Sequence, residues 1–166
     1  CQALAVALLG VPDSVTALAV SIAHLKRWKL FLAGRGGRPL SDDQVRGLFA
    51  ELVFLRELIA LKGAEAAVEA WLGPEKSHQD FILGNAAVEI KSLSGAERSE
   101  ITISSEDQLQ ALNDNLYLRI YRLSANTDAT EAASLNDMVS AIQSMLDTAE
   151  AVAAFADKLD EHRYAP

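Results

Sequence analysis

Cysteine is almost absent from this sequence. Cys1 is the only cysteine among 166 residues, so no disulfide can form within the chain, and a zinc site built on several cysteines is excluded. We therefore expect a reducing, cytoplasmic environment. The sequence also begins without a methionine, and we expect it to be a fragment or a processed product of a longer chain.

Long apolar runs are absent as well. No stretch approaches the roughly 20 apolar residues that a membrane-spanning helix needs. Residues 2–9 are apolar but lack the basic start and the length of a signal peptide. The sequence contains neither a repeat nor a low-complexity tract. We therefore expect no membrane contact and a single domain with one core over residues 1–166.

Basic residues are fewer than acidic ones, 15 against 23, which gives a formal net charge of −8. The acids are unevenly placed: residues 124–166 carry a net charge of −6, whereas residues 1–123 carry −2. The N-terminal part contains a run of basic residues that could contact phosphates, namely Lys26, Arg27, Lys29, Arg35, Arg38 and Arg46. The alternative is an ordinary solvated helix end and loop. We take Lys26, Arg35 and Arg38 as candidate nucleic-acid contacts.

Apolar periodicity indicates helices first and strands later. Helical spacing predicts helices at 14–33, 41–62 and 64–71, with Ser41 capping the second helix and Gly63 ending it. Beyond Pro74, alternation of apolar and polar residues predicts strands near 79–83, 86–92, 100–104 and 115–123. A short helix is expected before the last strand, and one or two helices after it.

The order of these elements predicts an α/β (α+β) fold. Its core would occupy residues 41–123 and contain a mixed central sheet of about four strands flanked by helices. Residues 1–40 would form a helical N-terminal extension, and residues 124–166 would form acidic C-terminal helices.

The most informative stretch is a hairpin, SHQDFILGNAAVEIKSLS, at residues 77–94. Its two-residue turn, Gly84-Asn85, fixes the strand register and places Asp80 opposite Glu89. Carboxylates on opposed residues, with Cβ atoms about 4.5 to 5.5 Å apart, destabilise a sheet unless something compensates their charge. A divalent cation is the natural compensation, and Lys91, which shares their face, offsets part of the charge. The alternative is an edge hairpin with a solvated face and an ordinary Lys91 ion pair.

Glu51 interrupts the apolar stripe of the second predicted helix, where it lies between Leu48 and Leu55. A carboxylate that faces a core needs a partner, because burying it alone is costly. The partner could be a cation bound at the hairpin. The alternative is a salt bridge to Arg46 or Arg56.

Together these residues resemble the PD-(D/E)xK nuclease superfamily, whose restriction-endonuclease-like core runs helix, three strands, helix, strand. The resemblance covers residues 41–123. Asp80 is similar to the aspartate of the motif, Glu89-Ile90-Lys91 to its (D/E)xK element, and Glu51 to the helical acid that many members carry upstream. Gln79 stands where the motif has its proline. The wider sequence looks like a bacterial branch of the superfamily that is associated with restriction and phage defence.

The resemblance implies a metal-dependent DNA endonuclease with Mg²⁺ as its cofactor and Mn²⁺ as a substitute. Asp80, Glu89, the carbonyl of Ile90 and, directly or through water, Glu51 would bind the ion. Lys91 would orient the attacking water or help to deprotonate it, and would stabilise the charge that develops at the phosphate.

Two more residues are candidates for the same site. Gln108 resembles the glutamine of the exonuclease-like branch, with a solvent-facing helix residue as the alternative interpretation. His78 could bind phosphate or water, although a histidine at the start of a strand is more often a surface residue.

These features favour a metal-dependent endonuclease of a bacterial restriction or phage-defence system that acts on DNA in the cytoplasm. Other defence-system subunits and a second copy of the chain are candidate partners. The alternative is a catalytically inactive restriction-like fold that serves as a DNA-binding or protein-assembly module. A third hypothesis is a purely helical interaction protein, but this hypothesis leaves the acids of the hairpin unexplained.

Overall fold

The computed structural model describes residues 13–32, 40–74, 79–94, 115–125 and 132–165, together with Leu8 and Val11. In these ranges the helices are α1 (Ser14–Leu32), α2 (Asp42–Lys62), α3 (Ala64–Ala70), α4 (Leu135–Gln143) and α5 (Ala149–Glu161). The strands are β1 (Phe81–Leu83), β2 (Ala86–Ser94) and β3 (Asn115–Leu123). None of the helices described is both long and apolar enough to cross a membrane.

The three strands form one mixed sheet in the order β1-β2-β3. β1 pairs antiparallel with β2, and β2 pairs parallel with β3. Phe81 pairs with Val88, which is the register predicted from the Gly84-Asn85 turn. Gly84 has a φ of 61°, a conformation that glycine adopts at little cost and that a tight hairpin turn requires.

The mixed sheet with helices packed on it confirms the predicted fold class, with a slightly lower strand count. The described ranges contain three strands instead of about four. The predicted strand near 100–104 and the short helix after it lie outside the described residues.

Helix α2 is the element on which the sheet packs, and its ends are set by the local sequence. Ser41 accepts a hydrogen bond from the backbone N–H of Gln44, and the Gln44 side chain accepts one from the backbone N–H of Ser41. This capping box starts the helix, and Gly63, with a φ of 86°, ends it. The helix buries an apolar stripe against α3, α4 and β2, made of Leu48, Leu52, Leu55, Leu58 and Ile59.

The C-terminal helix α5 is part of the same core. It packs against α1 and α3, and its Phe155 lies 5.9 Å from Trp71 between ring centroids. The ammonium of Lys158 donates hydrogen bonds to the carbonyls of Val68 and Trp71, at the C-terminal end of α3. Because the last carbonyls of a helix have no partner within the helix, Lys158 satisfies groups that would otherwise be buried unpaired. The C-terminal segment therefore supports the element that leads into the hairpin.

Candidate functional site

Asp80 lies immediately before β1, and its position is fixed by two hydrogen bonds. Its backbone carbonyl accepts a 2.9 Å bond from the N–H of Leu72. The β1 ladder ends at Phe81 and does not start at residue 79 as predicted. The carboxylate Oδ2 of Asp80 accepts a 2.6 Å bond from the backbone N–H of Ile90. Asp80 is therefore held to β2 by its side chain and to the segment after α3 by its carbonyl.

Glu89 lies in the middle of β2 and is 7 % exposed. Its Oε1 is 2.8 Å from the Nζ of Lys91, whereas its Oε2 has no hydrogen-bond partner in the part of the chain that the structure describes. Ala87, on the same face of the strand, is fully buried. The face that carries Glu89 is thus covered. The alternative interpretation required this face to be solvated.

The surroundings of Asp80 disfavour the ionised form of its carboxyl. Burial, and then the neighbouring charge of Glu89, raise the pKa of the Asp80 carboxyl to about 7. The hydrogen bond from Ile90 and the charge of Lys91 lower this pKa but do not cancel the rise. A positive ion placed beside the two carboxylates would offset the part of the shift that comes from the charge of Glu89.

Glu51 projects from α2 and is held by an aromatic residue from the end of α3. The indole Nε1 of Trp71 donates a 2.8 Å hydrogen bond to Glu51 Oε2. Burial, followed by the charge of Asp80, raises the pKa of Glu51 to about 8. Of the two arginines considered as partners, Arg46 pairs with Asp43 at 2.8 Å and Arg56 is exposed.

His162 completes the surroundings of Glu51. Its ring stacks on Trp71, with centroids 5.1 Å apart and planes 16° from parallel. Its Nε2 is 3.5 Å from Glu51 Oε2. Burial lowers the pKa of His162 to about 4, so the ring is neutral at pH 7 and forms no ion pair with Glu51. The hydrogen bond from Trp71 therefore fixes the Glu51 carboxyl, and the stacked His162 ring packs beside it.

A cavity of about 460 Å³ opens beside these residues. Glu51 and Asp80 line it together with residues that follow or end α5, namely Glu161, His162 and Arg163. The sequence interpretation did not assign these three C-terminal residues to the site. No local sequence pattern links these residues to the hairpin, which lies far earlier in the chain, so the sequence offered little to predict their proximity.

The oxygen atoms around Asp80 can supply ligands to a hard divalent cation. Asp80 and Glu89 contribute carboxylates. The N–H and C=O of one residue in a strand point to the same edge, so the carbonyl of Ile90 faces the edge where Asp80 lies. Across the described ranges, no group of three His, Cys, Asp or Glu side chains is arranged to hold a metal by itself. The set fits Mg²⁺ or Mn²⁺ in the usual way for Mg²⁺, with few protein ligands and several waters.

The structure brings together Glu51, Asp80, Glu89, Ile90 and Lys91. Lys26 is exposed on α1. The remaining candidates lie outside the described residues, and these are Arg35, Arg38, His78 and Gln108.

Comparison with known proteins identifies the family to which the chain belongs. No curated protein and no solved structure matches the chain. A family model described as "Putative PD-(D/E)XK family member, (DUF4420)" matches residues 1–166. It agrees with the resemblance drawn from Asp80 and the Glu89-Ile90-Lys91 element. Because the match spans the whole sequence, the chain belongs to this DUF4420 family of PD-(D/E)XK proteins.

Proposed function

We propose that this protein is a divalent-metal-dependent nuclease that hydrolyses phosphodiester bonds in DNA, in a bacterial restriction or phage-defence system. The observation that carries the proposal is the buried Glu89, whose Oε2 lacks a hydrogen-bond partner in the described structure and whose neighbour is the carboxyl of Asp80. A buried carboxylate without a full set of partners is costly. A bound cation would offset that cost.

Each residue of the site has a role in this reaction. Asp80, Glu89 and the carbonyl of Ile90 would hold Mg²⁺; when bound, the ion supplies positive charge for the transition state and acidifies water. Lys91, held by Glu89 at 2.8 Å, orients the attacking water and stabilises negative charge on the phosphate oxygens.

Glu51 supports the site from the α2 side. The hydrogen bond from Trp71 holds its carboxyl beside the cavity that Asp80 also lines. It can accept a hydrogen bond from a water in that cavity and so help to place the water near Asp80. The buried setting of these groups strengthens their electrostatic effect on a phosphate.

Calorimetric titration with Mg²⁺ and Mn²⁺ tests the metal site directly. The wild type should bind one of the ions, and Glu89→Gln, which keeps the shape of the side chain but removes its charge, should not. Glu57→Gln is the matched control, because Glu57 is a half-exposed acid of α2. Loss of binding in both variants would point to a general charge effect and contradict the assignment.

Cleavage assays then test the reaction. Purified protein should cut DNA when Mg²⁺ or Mn²⁺ is present and should stop when EDTA is added, and Glu89→Gln should be inactive throughout. Parallel assays with single-stranded DNA and RNA establish which nucleic acid is cut. Circular substrates separate endonuclease from exonuclease action, because a circle has no end to start from.

The second candidate function is an inactive restriction-like module that binds DNA or a partner protein. It is favoured by the absence, among the described residues, of a group of three side chains arranged to hold a metal. Such a module should bind DNA equally well as wild type and as Glu89→Gln, and it should show no cleavage with either cation.

A further inference from the structure

Arg163 stands out at the edge of the cavity that contains Asp80. It lines this cavity, and its side chain is exposed. Within the described ranges it forms no side-chain hydrogen bond or ion pair. A cationic side chain without a partner therefore lies on the rim of a cavity whose charged walls are otherwise acidic, from Glu51, Asp80 and Glu161.

The backbone of Arg163 adopts a conformation that disfavours arginine. Its φ is 57°, the only positive value for a non-glycine residue in the described chain. The N–H of Tyr164 bonds the carbonyl of Leu159 at 3.0 Å, and the N–H of Arg163 bonds that of Asp160 at 2.9 Å. This is the helix ending at which glycine is the usual residue, because a side chain is strained there. An arginine at this position costs stability that no side-chain hydrogen bond or ion pair to another described residue recovers.

The residues on both sides of Arg163 are anchored, and they fix the position of its backbone. His162 stacks on Trp71. Tyr164 is buried, and its hydroxyl donates a 2.7 Å hydrogen bond to Oδ1 of Asn136. The chain is thus clamped on either side of one exposed arginine. The backbone is held in place, and the exposed side chain lies at the edge of the cavity.

We propose that Arg163 binds a backbone phosphate of the nucleic acid beside the bond that is cut. The guanidinium presents a planar fork of N–H donors that matches phosphate oxygens, and it remains charged at any working pH. A phosphate is the anionic part of the substrate, and the acids Asp80 and Glu161 would otherwise repel it from the cavity. The proposal rests on the nuclease function proposed above, and it assigns the substrate-binding role on that side of the site.

Arg163→Gly is the decisive variant, because it removes the guanidinium and also relieves the strained backbone. Its melting temperature should equal or exceed that of the wild type. Its affinity for a short fluorescent DNA duplex, measured by anisotropy, should be about tenfold weaker. The slope of log affinity against log salt concentration should become shallower by about 0.9, the value for one phosphate contact. Each titration is run in EDTA and again with Ca²⁺.

Lys62→Ala is the control for loss of one positive charge. Lys62 ends α2, roughly 16 Å along the helix from Glu51, so its removal should leave duplex affinity and salt slope unchanged. Arg163→Lys should recover part of the affinity, since an ammonium keeps the charge but loses the fork.

The outcomes separate this proposal from the proposed function. Unchanged duplex binding in Arg163→Gly overturns the role of Arg163 even if the wild type cleaves DNA. Absence of duplex binding by the wild type in both EDTA and Ca²⁺ overturns it too. Weaker binding by Arg163→Gly, in a protein that cleaves nothing with Mg²⁺ or Mn²⁺, supports the phosphate contact and refutes the nuclease.

Discussion

The carboxylate of Asp80 accepts a 2.6 Å hydrogen bond from the backbone N–H of Ile90. This bond joins a residue outside the β ladder to the strand that carries Glu89 and Lys91. The first acid of the motif is therefore positioned by its own side chain and not by strand pairing. Its backbone is free to bond Leu72 instead, which connects the hairpin to the end of α3.

Lys91→Ala should separate metal binding from catalysis. Lys91 contacts Glu89 at 2.8 Å but has no oxygen ligand to offer a cation. We expect calorimetric Mg²⁺ binding to persist, while the cleavage rate falls by about 100-fold or more because the attacking water and the developing charge lose their cationic partner. A Lys91→Ala protein that cleaves at the wild-type rate would rule out the assigned role. Lys62→Ala serves as the control.

Asp80→Asn should stabilise the protein while it abolishes metal binding. The amide oxygen can still accept the hydrogen bond from Ile90, but the repulsion between Asp80 and Glu89 disappears. In EDTA at pH 8, thermal melts should show a melting temperature about 2 to 6 °C above that of the wild type. Added Mg²⁺ should raise the melting temperature of the wild type alone. A variant that melts lower than the wild type in EDTA would show that the two carboxylates do not repel.

The cation-free protein should lose stability as the pH rises above neutrality. Folding raises the pKa of Glu51 from 4.5 to about 8 and that of Asp80 from 3.8 to about 7. Between these limits the folded state holds more protons than the unfolded state, so the free energy of unfolding decreases with pH. His162 acts in the opposite direction between about pH 4 and 6.5, because folding lowers its pKa from 6.5 to about 4.

The informative window is therefore pH 6.5 to 8, where the two acids outweigh the opposing contribution of His162, which fades as the ring becomes neutral in the unfolded state too. Melting temperatures in EDTA should decrease by about 3 to 6 °C across it. The double variant Glu51→Gln with Asp80→Asn should flatten the dependence. A wild-type melting temperature that is constant or rises over this window would contradict the raised pKa values.

Lys158→Met should destabilise the fold without touching the acids. Methionine keeps most of the apolar stem, but the carbonyls of Val68 and Trp71 lose their donor. The free energy of unfolding should fall by about 1 to 3 kcal/mol, read from denaturant titration. Lys62→Met, on the exposed end of α2, should change it little. Equal stability of both variants would show that the Lys158 contacts are not needed.

Local signals explain what could be predicted from the sequence. The Gly84-Asn85 turn determined the hairpin register because a two-residue loop allows few pairings. Ser41 and Gly63 marked the ends of α2 because capping is decided within one helical turn. The position of Glu51 on an apolar stripe was also visible, because helical spacing is read from neighbouring residues. It pointed to a buried acid before any partner was known.

Tertiary contacts explain what could not be predicted. The partner of Glu51 is Trp71, whose indole reaches it only when α3 folds back on α2. The carbonyl of Asp80 bonds Leu72, a contact that exists only when the end of α3 folds against the hairpin. Arg163 appears in sequence as one more charge in an acidic tail, and its importance depends on a helix ending that only the folded backbone displays.

The cavity wall made by Glu161, His162 and Arg163 also affects how the protein is made. During synthesis the hairpin leaves the ribosome long before these three residues do. Glu51 can meet His162 only after translation has passed residue 163 and α5 has docked on α3. A nascent chain therefore carries Asp80, Glu89 and Lys91 before it has a complete cavity, and the phosphate contact is the last part of the site to be synthesised.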